Sequence, residues 1–444
     1  MTAISQALAR WGAMKSDELY QRVKDDFGSR RSFERALADM PDLLRLGSKR
    51  SRAYAQRRAA IEPLPVYLRN EAGEDRLLGS LLALEADQWA FEHAEDARPW
   101  MRIGLLNKGQ LPVYQGLPWF MDAFRPAGFL GRAWVRQHAG AHGWPLDVQA
   151  WTDEQILRAA MQEPWDWRGN LSVGPFVDLP GQVVALADRN AAYAIRADQA
   201  MEGAVVGASA EGEQPKFTAV IAETGGMRPV IVKFSGRLDG SPAARRWADV
   251  MVTEAVANQV MAVHGIAAAS TEAWIHDDRL WLETTRFDRI GARGRRGMVA
   301  LQPLARTFNY HGPQNGWVQA VAHLERWGAV DIEQLRLTEH LATIGHLLLN
   351  NDMHMRNLSF LVGDDSSHLL TVAPVYDMTP MRWAPSATTG AVPPLQEEAV
   401  FATDDGEAKR IAFEIWEDTT RHPLVSEEWR SWAAERAEQI LRTL

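Results

Sequence analysis

Residues 347–360 read LLLNNDMHMRNLSF, and they constrain the chain more than any other stretch. An apolar run of three leucines stops abruptly at Asn350-Asn351-Asp352, and apolar character returns at Leu358 and Phe360. The pattern predicts a buried segment, a polar turn and a buried strand, because Asn and Asp dominate turns. Within the turn, Asp352 and Asn357 form a D-x-x-x-x-N pentad. A carboxylate placed there can take a proton from a hydroxyl, and an amide oxygen can hold a hard metal ion. A solvated turn between helix and strand would use the same residues, so the pentad needs company.

Company is present on both sides. Residues 369–375 are strand-like and run into Tyr376-Asp377. Upstream, PVIVKF (229–234) is a β-branched run carrying one lysine, Lys233, and residues 250–263 have apolar positions that fit a helix carrying Glu254. Protein kinases place a strand Lys, a helix Glu, the pentad and a metal-binding Asp in this order. A lone Lys on a strand or Glu on a helix is ordinarily solvated surface. Four such elements in kinase order are not easily produced by chance.

From about residue 65 onward the chain resembles the HipA family, bacterial serine/threonine protein kinases that act as toxins of toxin–antitoxin pairs. The likeness rests on GFLGRAW (128–134), SAEGEQPK (209–216), VIVKF (230–234), RFDR (286–289), NNDMHMRNLSF (350–360) and VYDMTP (375–380). It implies an α+β, two-lobed kinase-like body that uses ATP and Mg2+. Asp352 would be the catalytic base, and Asn357 and Asp377 would hold metal. Lys233, Glu254, Glu283, Phe287, His354 and Tyr376 would surround the nucleotide. The family usually has an acidic residue immediately before RFDR; here that position is Thr285, with Glu283 two earlier. Ser209, in the loop 207–212, matches a serine that such kinases phosphorylate on themselves. A phosphate there would repel the phosphates of ATP and compete for their donors. The resemblance further implies a protein substrate, such as an aminoacyl-tRNA synthetase or another translation component, growth arrest, and a separate antitoxin partner.

Other chemistries compete for the same residues. The Walker signature is absent, and the loop 207–212 does not sit as a serine-hydrolase elbow. Asp352, His354 and Asp377 could instead ligate a divalent metal in a nuclease. That reading leaves Lys233, Glu254 and the Gly-rich loop idle. A DNA-binding regulator with an inactive kinase-like body is a third reading, opposed by the intact set of catalytic residues.

Ahead of the body lies a segment of opposite charge. Net charge is −9, yet residues 1–58 hold 13 Lys/Arg against 7 Asp/Glu, or +6, which leaves −15 for the rest. Helices are predicted over 4–11, 17–27 with Ser16 as cap, and 30–40, followed by strands at 43–46 and 53–55. This is the pattern of a winged helix-turn-helix that binds DNA, with Arg30, Arg31 and Arg35 outward on the third helix and Lys49, Arg50 and Arg52 on the wing. A small packing subdomain with solvated arginines is the alternative.

The expected partition is 1–60 head, 61–200 N-terminal subdomain, 201–300 nucleotide-binding lobe and 301–444 helical lobe. Aromatics in 116–134 are expected to be core, 57–65 a linker, 385–394 an exposed loop and 427–444 a final helix with Trp432, Ile440 and Leu441 packing. Cysteine is absent, and no apolar run could span a bilayer, so a cytoplasmic protein is expected.

Overall fold

The fold is given by a computed structural model that describes residues 2–47, 52–94, 113–163, 166–178, 183–203, 214–363, 370–386 and 389–444. At the N-terminus the amphipathic periods fold as expected. Helix Ala3–Trp11 is capped by Thr2, whose hydroxyl accepts the Ser5 N–H. Helix Arg30–Ala38 begins at Ser29, which exchanges hydrogen bonds with Ser32 in a capping box. Ser16 is not the predicted cap. It is the first residue of helix Ser16–Val23, and its N–H donates to the Arg52 carbonyl at 3.1 Å. Ile4, Leu8, Leu19, Phe33 and Leu37 are buried together as the core of this head. Strand Ala53–Gln56 is central to its antiparallel sheet, between Met14–Lys15 and Leu43–Leu46. Lys49 and Arg50 lie outside the described residues.

The predicted linker is a welded joint. Ala55 is buried with Leu82, Leu84 and Ala90 of the next domain in one small core. The Gln88 Oε1 accepts the Ala13 N–H at 2.7 Å, and Arg58 N–H donates to the Ala83 carbonyl at 2.9 Å. Gly12, at φ +74°, is required here, since a Cβ would stand 2.6 Å from the Gln88 side chain.

The middle domain is a five-stranded antiparallel sheet in the order Tyr114–Gln115, Gln88–His93, Asp75–Leu84, Leu64–Arg69, Leu171–Val173. The short turn Trp119–Phe124 and helices Gly128–His138 and Asp153–Gln162 complete it. Trp119, Phe124 and Trp134 are buried, so the aromatic stretch is packing, as its composition suggested.

The lobe that follows is built on a second five-stranded sheet in the order Thr271–His276, Arg279–Thr285, Gly226–Phe234, Lys216–Glu223, Val183–Ala185. Helix Arg189–Met201 packs on it through Tyr193 and Ala197 rather than on the middle domain. The lobe therefore starts before residue 201. Strand Gly297–Ala300 pairs with Ser359–Val362 and so belongs with the helical lobe, which begins before 301.

Helices Trp317–Arg326, Ile332–Leu347, Gly406–Arg421 and Glu427–Leu441 build the helical lobe. Trp432 and Ile440 are buried, whereas Leu441 turns to solvent. Helix Gly406–Arg421 was not anticipated; it starts in the polar stretch around Asp405, which caps it through the Ala408 N–H. Among the described residues no helix is long and apolar enough to cross a membrane.

One buried clamp ties the lobes together. In the long helix Pro242–Val263, the Asp249 carboxylate accepts the Ser426 N–H and Oγ–H, each at 2.7 Å. Burial raises the Asp249 pKa from 3.8 to about 6, although Ser426, Arg246 and Arg245 pull it down. The native state thus holds the proton more tightly than the unfolded chain. This stabilising contribution is full below pH 3.8 and is lost as pH rises through 6. Asn at this position can accept the Ser426 N–H through Oδ1 and donate its amide N–H to the Ser426 Oγ, keeping both contacts without the buried charge. The advantage of Asp249→Asn over wild type should therefore grow between pH 4 and 7, to about 2–3 kcal/mol. Urea unfolding at both pH values checks it.

Candidate active site

The chemistry converges on the cleft between the two lobes. Strand Gly226–Phe234 carries Lys233, and the long helix packs its Glu254 beneath it. The Lys233 Nζ donates to both Glu254 oxygens, at 2.8 and 2.7 Å, and also to the Asp377 carboxylate. Burial would pull the Lys233 pKa down, but Asp377 and Glu254 hold it above its ordinary value. Asp377 is pushed up by burial, yet the Lys233 and Lys216 charges keep it below the usual carboxylate range. A buried charge is tolerated only when paired in this way. Lys233, Glu254 and Asp377, far apart in sequence, thus form one buried ionic triad; the tie between Lys233 and Asp377 was not anticipated from the motifs.

The loop beside the triad is shaped by its own residues. Helix Ile332–Leu347 ends where Leu349 takes φ +60°, which throws the chain sideways. Met353 and Met355 are buried and pin the loop to the lobe. Gly345 makes room for the Met353 sulfur, which a Cβ would approach to 2.3 Å. The Asp352 carbonyl accepts the His354 N–H and the Asn357 Nδ2–H, both at 2.8 Å. Asn350, almost fully buried, accepts the Asp352 N–H at 3.1 Å and donates to the Asp377 carbonyl at 3.2 Å. It couples the loop to the segment carrying Asp377 and escaped sequence reasoning, because an Asn in a turn has no distinguishing mark.

The cleft spans about 740 Å³, counting the space where it opens to solvent. Lys233, Glu254, Phe287, Asn357, Tyr376 and Asp377 all line it. Phe287 and Tyr376 face one another with ring centroids 5.9 Å apart. The Tyr376 hydroxyl is fixed by the Arg356 carbonyl at 3.0 Å and by Ser359. Lys216 is a further lining cation and was missed as a site residue. Its signal was register, because Lys216 pairs across the sheet with Lys233.

Three predicted positions fall outside the cleft lining. Asp352 stands beside the cleft with its side chain 47% exposed. His354 also lies outside: its Nδ1 accepts the Arg356 N–H at 3.2 Å and its carbonyl accepts the Trp317 indole N–H at 2.9 Å. Its Nε2 stands 3.8 Å from the Asp352 carboxylate. Glu283 is a correction. It pairs with Val232, on the sheet face opposite Lys233, and its carboxylate is buried against Tyr193 at 2.5 Å and Arg228 at 2.6 Å. Thr284 and Thr285 face the cleft in its place. Ser209 and the loop 207–212 lie outside the described residues.

The RFDR motif is chiefly a lock. Arg286 grips Asp288 at 3.0 Å and Asp166 of the middle domain at 2.6 Å, and Arg289 and Arg295 converge on Asp166 at 2.6 and 2.7 Å.

The nuclease arrangement does not assemble. Among the described residues no group of three His, Asp or Glu is placed to hold a metal ion. Asn357 and Asp377, as two hard oxygen donors on one wall, instead suit Mg2+ shared with substrate phosphates.

On the head, Arg31, Arg35 and Arg52 are exposed, as expected. Arg30 is exposed too but is held by Asp17 at 2.6 Å and Glu34 at 3.4 Å, so its charge is partly spent within the head.

Residues 208–443 match the HipA-like C-terminal domain, and residues 60–176 match the middle domain of YjjJ-like toxins. The chain is 30% identical over 447 residues to Toxin YjjJ of Escherichia coli (strain K12), covering 97% of this chain and 95% of that protein. In fold it is similar to a chain of the Shewanella oneidensis MR-1 complex of HipA, HipB and operator DNA. The TM-score is 0.52 at 15% identity, over 85% of this chain and 96% of that one. The Helicobacter pylori proinflammatory kinase CtkA gives a TM-score of 0.36 over 52% of this chain, too distant to bear on the argument.

Proposed function

The chain belongs to the HipA-like toxin family, and from that premise we propose that it is an ATP- and Mg2+-dependent serine/threonine protein kinase that arrests growth by modifying a protein. The observation that carries this reading is the triad: Lys233 bridges Glu254 and Asp377 at the edge of a cleft that Asn357 also lines. Lys233 and Lys216 supply positive charge for nucleotide phosphates, and Phe287 and Tyr376 supply aromatic surface for a base. Mg2+, held by Asn357 and Asp377 with phosphate oxygens, would neutralise charge as the phosphoryl group moves. Asp352, outside the lining and open to solvent, is available to an incoming Ser or Thr hydroxyl, whose proton it accepts. Self-phosphorylation of Ser209 would block the phosphate end of the cleft and switch the enzyme off.

The substrate is a protein of the cytoplasm, with translation components the leading class by family likeness. A phosphoproteome taken before and after induction tests this. New phosphoserine or phosphothreonine that appears with wild type and not with Asp352→Asn supports the kinase reading. Identical phosphoproteomes contradict it.

We further propose that the basic head binds DNA as a winged helix, and that an antitoxin restrains the chain. The solved relative was captured with HipB and operator DNA, which supports both partnerships. Because the head shares a core with the middle domain, the test belongs on the full chain rather than on residues 1–60. Duplex DNA should bind with a steep salt dependence as counterions are released. Arg31→Ala with Arg35→Ala should weaken binding and flatten the log–log slope by about one unit per lost phosphate contact. Fluorescence anisotropy between low and physiological salt measures it. Absence of DNA affinity even at low salt would make the head a protein-interaction module.

A further inference from the structure

Asp122 is out of character with its surroundings. It sits in the turn Trp119–Phe124 of the middle domain, among buried Trp119, Phe120, Met121 and Phe124, and is itself buried. A carboxylate is kept in such a place only with a partner for its charge. The Asp122 Oδ2 accepts a hydrogen bond from the Arg356 guanidinium at 3.2 Å.

Arg356 belongs to the loop that carries the chemistry, four residues after Asp352 and one before Asn357. Its N–H donates to the His354 Nδ1 at 3.2 Å, its carbonyl accepts the Tyr376 hydroxyl at 3.0 Å, and its side chain lines the cleft. The same domain reaches the cleft again just beyond the Asp166 lock. Arg168 forms part of the cleft wall, and the Gly169 N–H donates to Asp288 at 3.1 Å.

We infer that the middle domain is a working part of the phosphoryl-transfer site, and that Asp122 is a positioning residue acting through Arg356. The inference rests on the kinase reading. Asp122 fixes the outer side of the loop while Met353 and Asn350 fix its inner side. Between these two anchors the span from Asp352 to Asn357 is held at one height above the cleft. Without the Asp122 anchor, the Arg356 side chain loses its tie to the middle domain, and the acceptor side of the reaction loses alignment. Rate is very sensitive to such misplacement, whereas nucleotide affinity, set by the lysines and the aromatic pair, is not.

The test uses the full chain: the turnover rate for label transfer from γ-labelled ATP to protein, the KM for ATP, and ADP binding by calorimetry. Asp122→Asn should lower the turnover rate by roughly tenfold to a hundredfold with ADP affinity unchanged. Asp122→Glu should recover part of the loss. Adding Asp122→Asn to Arg356→Gln should cost nothing beyond Arg356→Gln alone, because both remove the same charge-assisted pairing. An undiminished rate in Asp122→Asn, or losses that multiply in the double variant, would overturn the inference. Should Asp122→Asn not fold, Arg356→Gln alone decides: a rate loss with ADP binding retained supports the inference, and an unchanged rate overturns it. A folded wild type that transfers no label sinks the kinase reading and the inference together. An active wild type with an unaffected Asp122→Asn sinks the inference alone.

Discussion

Asp352→Asn slows phosphoryl transfer by about 10²–10⁴-fold and leaves nucleotide affinity unchanged. The amide cannot accept a proton from the attacking hydroxyl, and it cannot counter the charge that develops as the proton leaves. Affinity is spared because Asp352 lies outside the cleft lining. The loop itself should persist, since Asp352 holds its neighbours through backbone atoms, accepting from His354 and Asn357 and donating to Asn350. Asp377→Asn should behave differently and lose both rate and Mg2+-dependent nucleotide binding, because its carboxylate lines the cleft and engages Lys233. Single-turnover label transfer beside calorimetry with ADP, with and without Mg2+, separates the two cases. Equal affinities for all three proteins would remove Asp377 from the metal role.

Asp166→Ala lowers stability by about 3–5 kcal/mol, the cost of leaving buried charge uncompensated. Its two oxygens take Arg286, Arg289 and Arg295 at 2.6 to 2.7 Å, all largely buried. Without it, Arg286 and Arg289 keep Asp288 as their carboxylate partner, and Arg295 is left on the Trp167 carbonyl. Burial would push the Asp166 pKa up, but Arg289, Arg286 and Arg295 hold it well below the usual carboxylate range. The contribution is therefore complete at neutral pH and drains away only as pH falls below that range. The loss should be concentrated where the middle domain meets the nucleotide-binding lobe, and limited proteolysis should cut there first. A urea midpoint equal to wild type would show that the cluster merely decorates the joint.

How far the sequence could be read depended on whether a residue's partner was also local. Lys233, Glu254 and Asp377 were legible because each motif carries its own chemistry and their order matched one reaction. The head was legible because helix periodicity over a few dozen residues fixes which side chains go inward. Glu283 failed because strand alternation was not applied. In register with Val232 it must face away from Lys233, into the core of Tyr193 and Trp281. Leu441 failed for a similar reason of facing: Ile440 beside it takes the buried position, and Leu441 points to solvent at the helix end. Asn350, Asp122 and Arg168 could not be read at all. Their meaning lies in contacts across loops or between domains, and a single Asn, Asp or Arg in sequence carries no trace of those.

On the kinase reading, this cleft moves the γ-phosphoryl group of ATP to a protein hydroxyl. The direct measurement is incubation of wild type and Asp352→Asn with γ-labelled ATP and Mg2+, followed by phosphoamino-acid analysis of the labelled protein. Label on serine or threonine with wild type, and almost none with Asp352→Asn, is the predicted result. Wild type that stays unlabelled and labels no protein in a bacterial extract, or equal label from both proteins, would contradict the account.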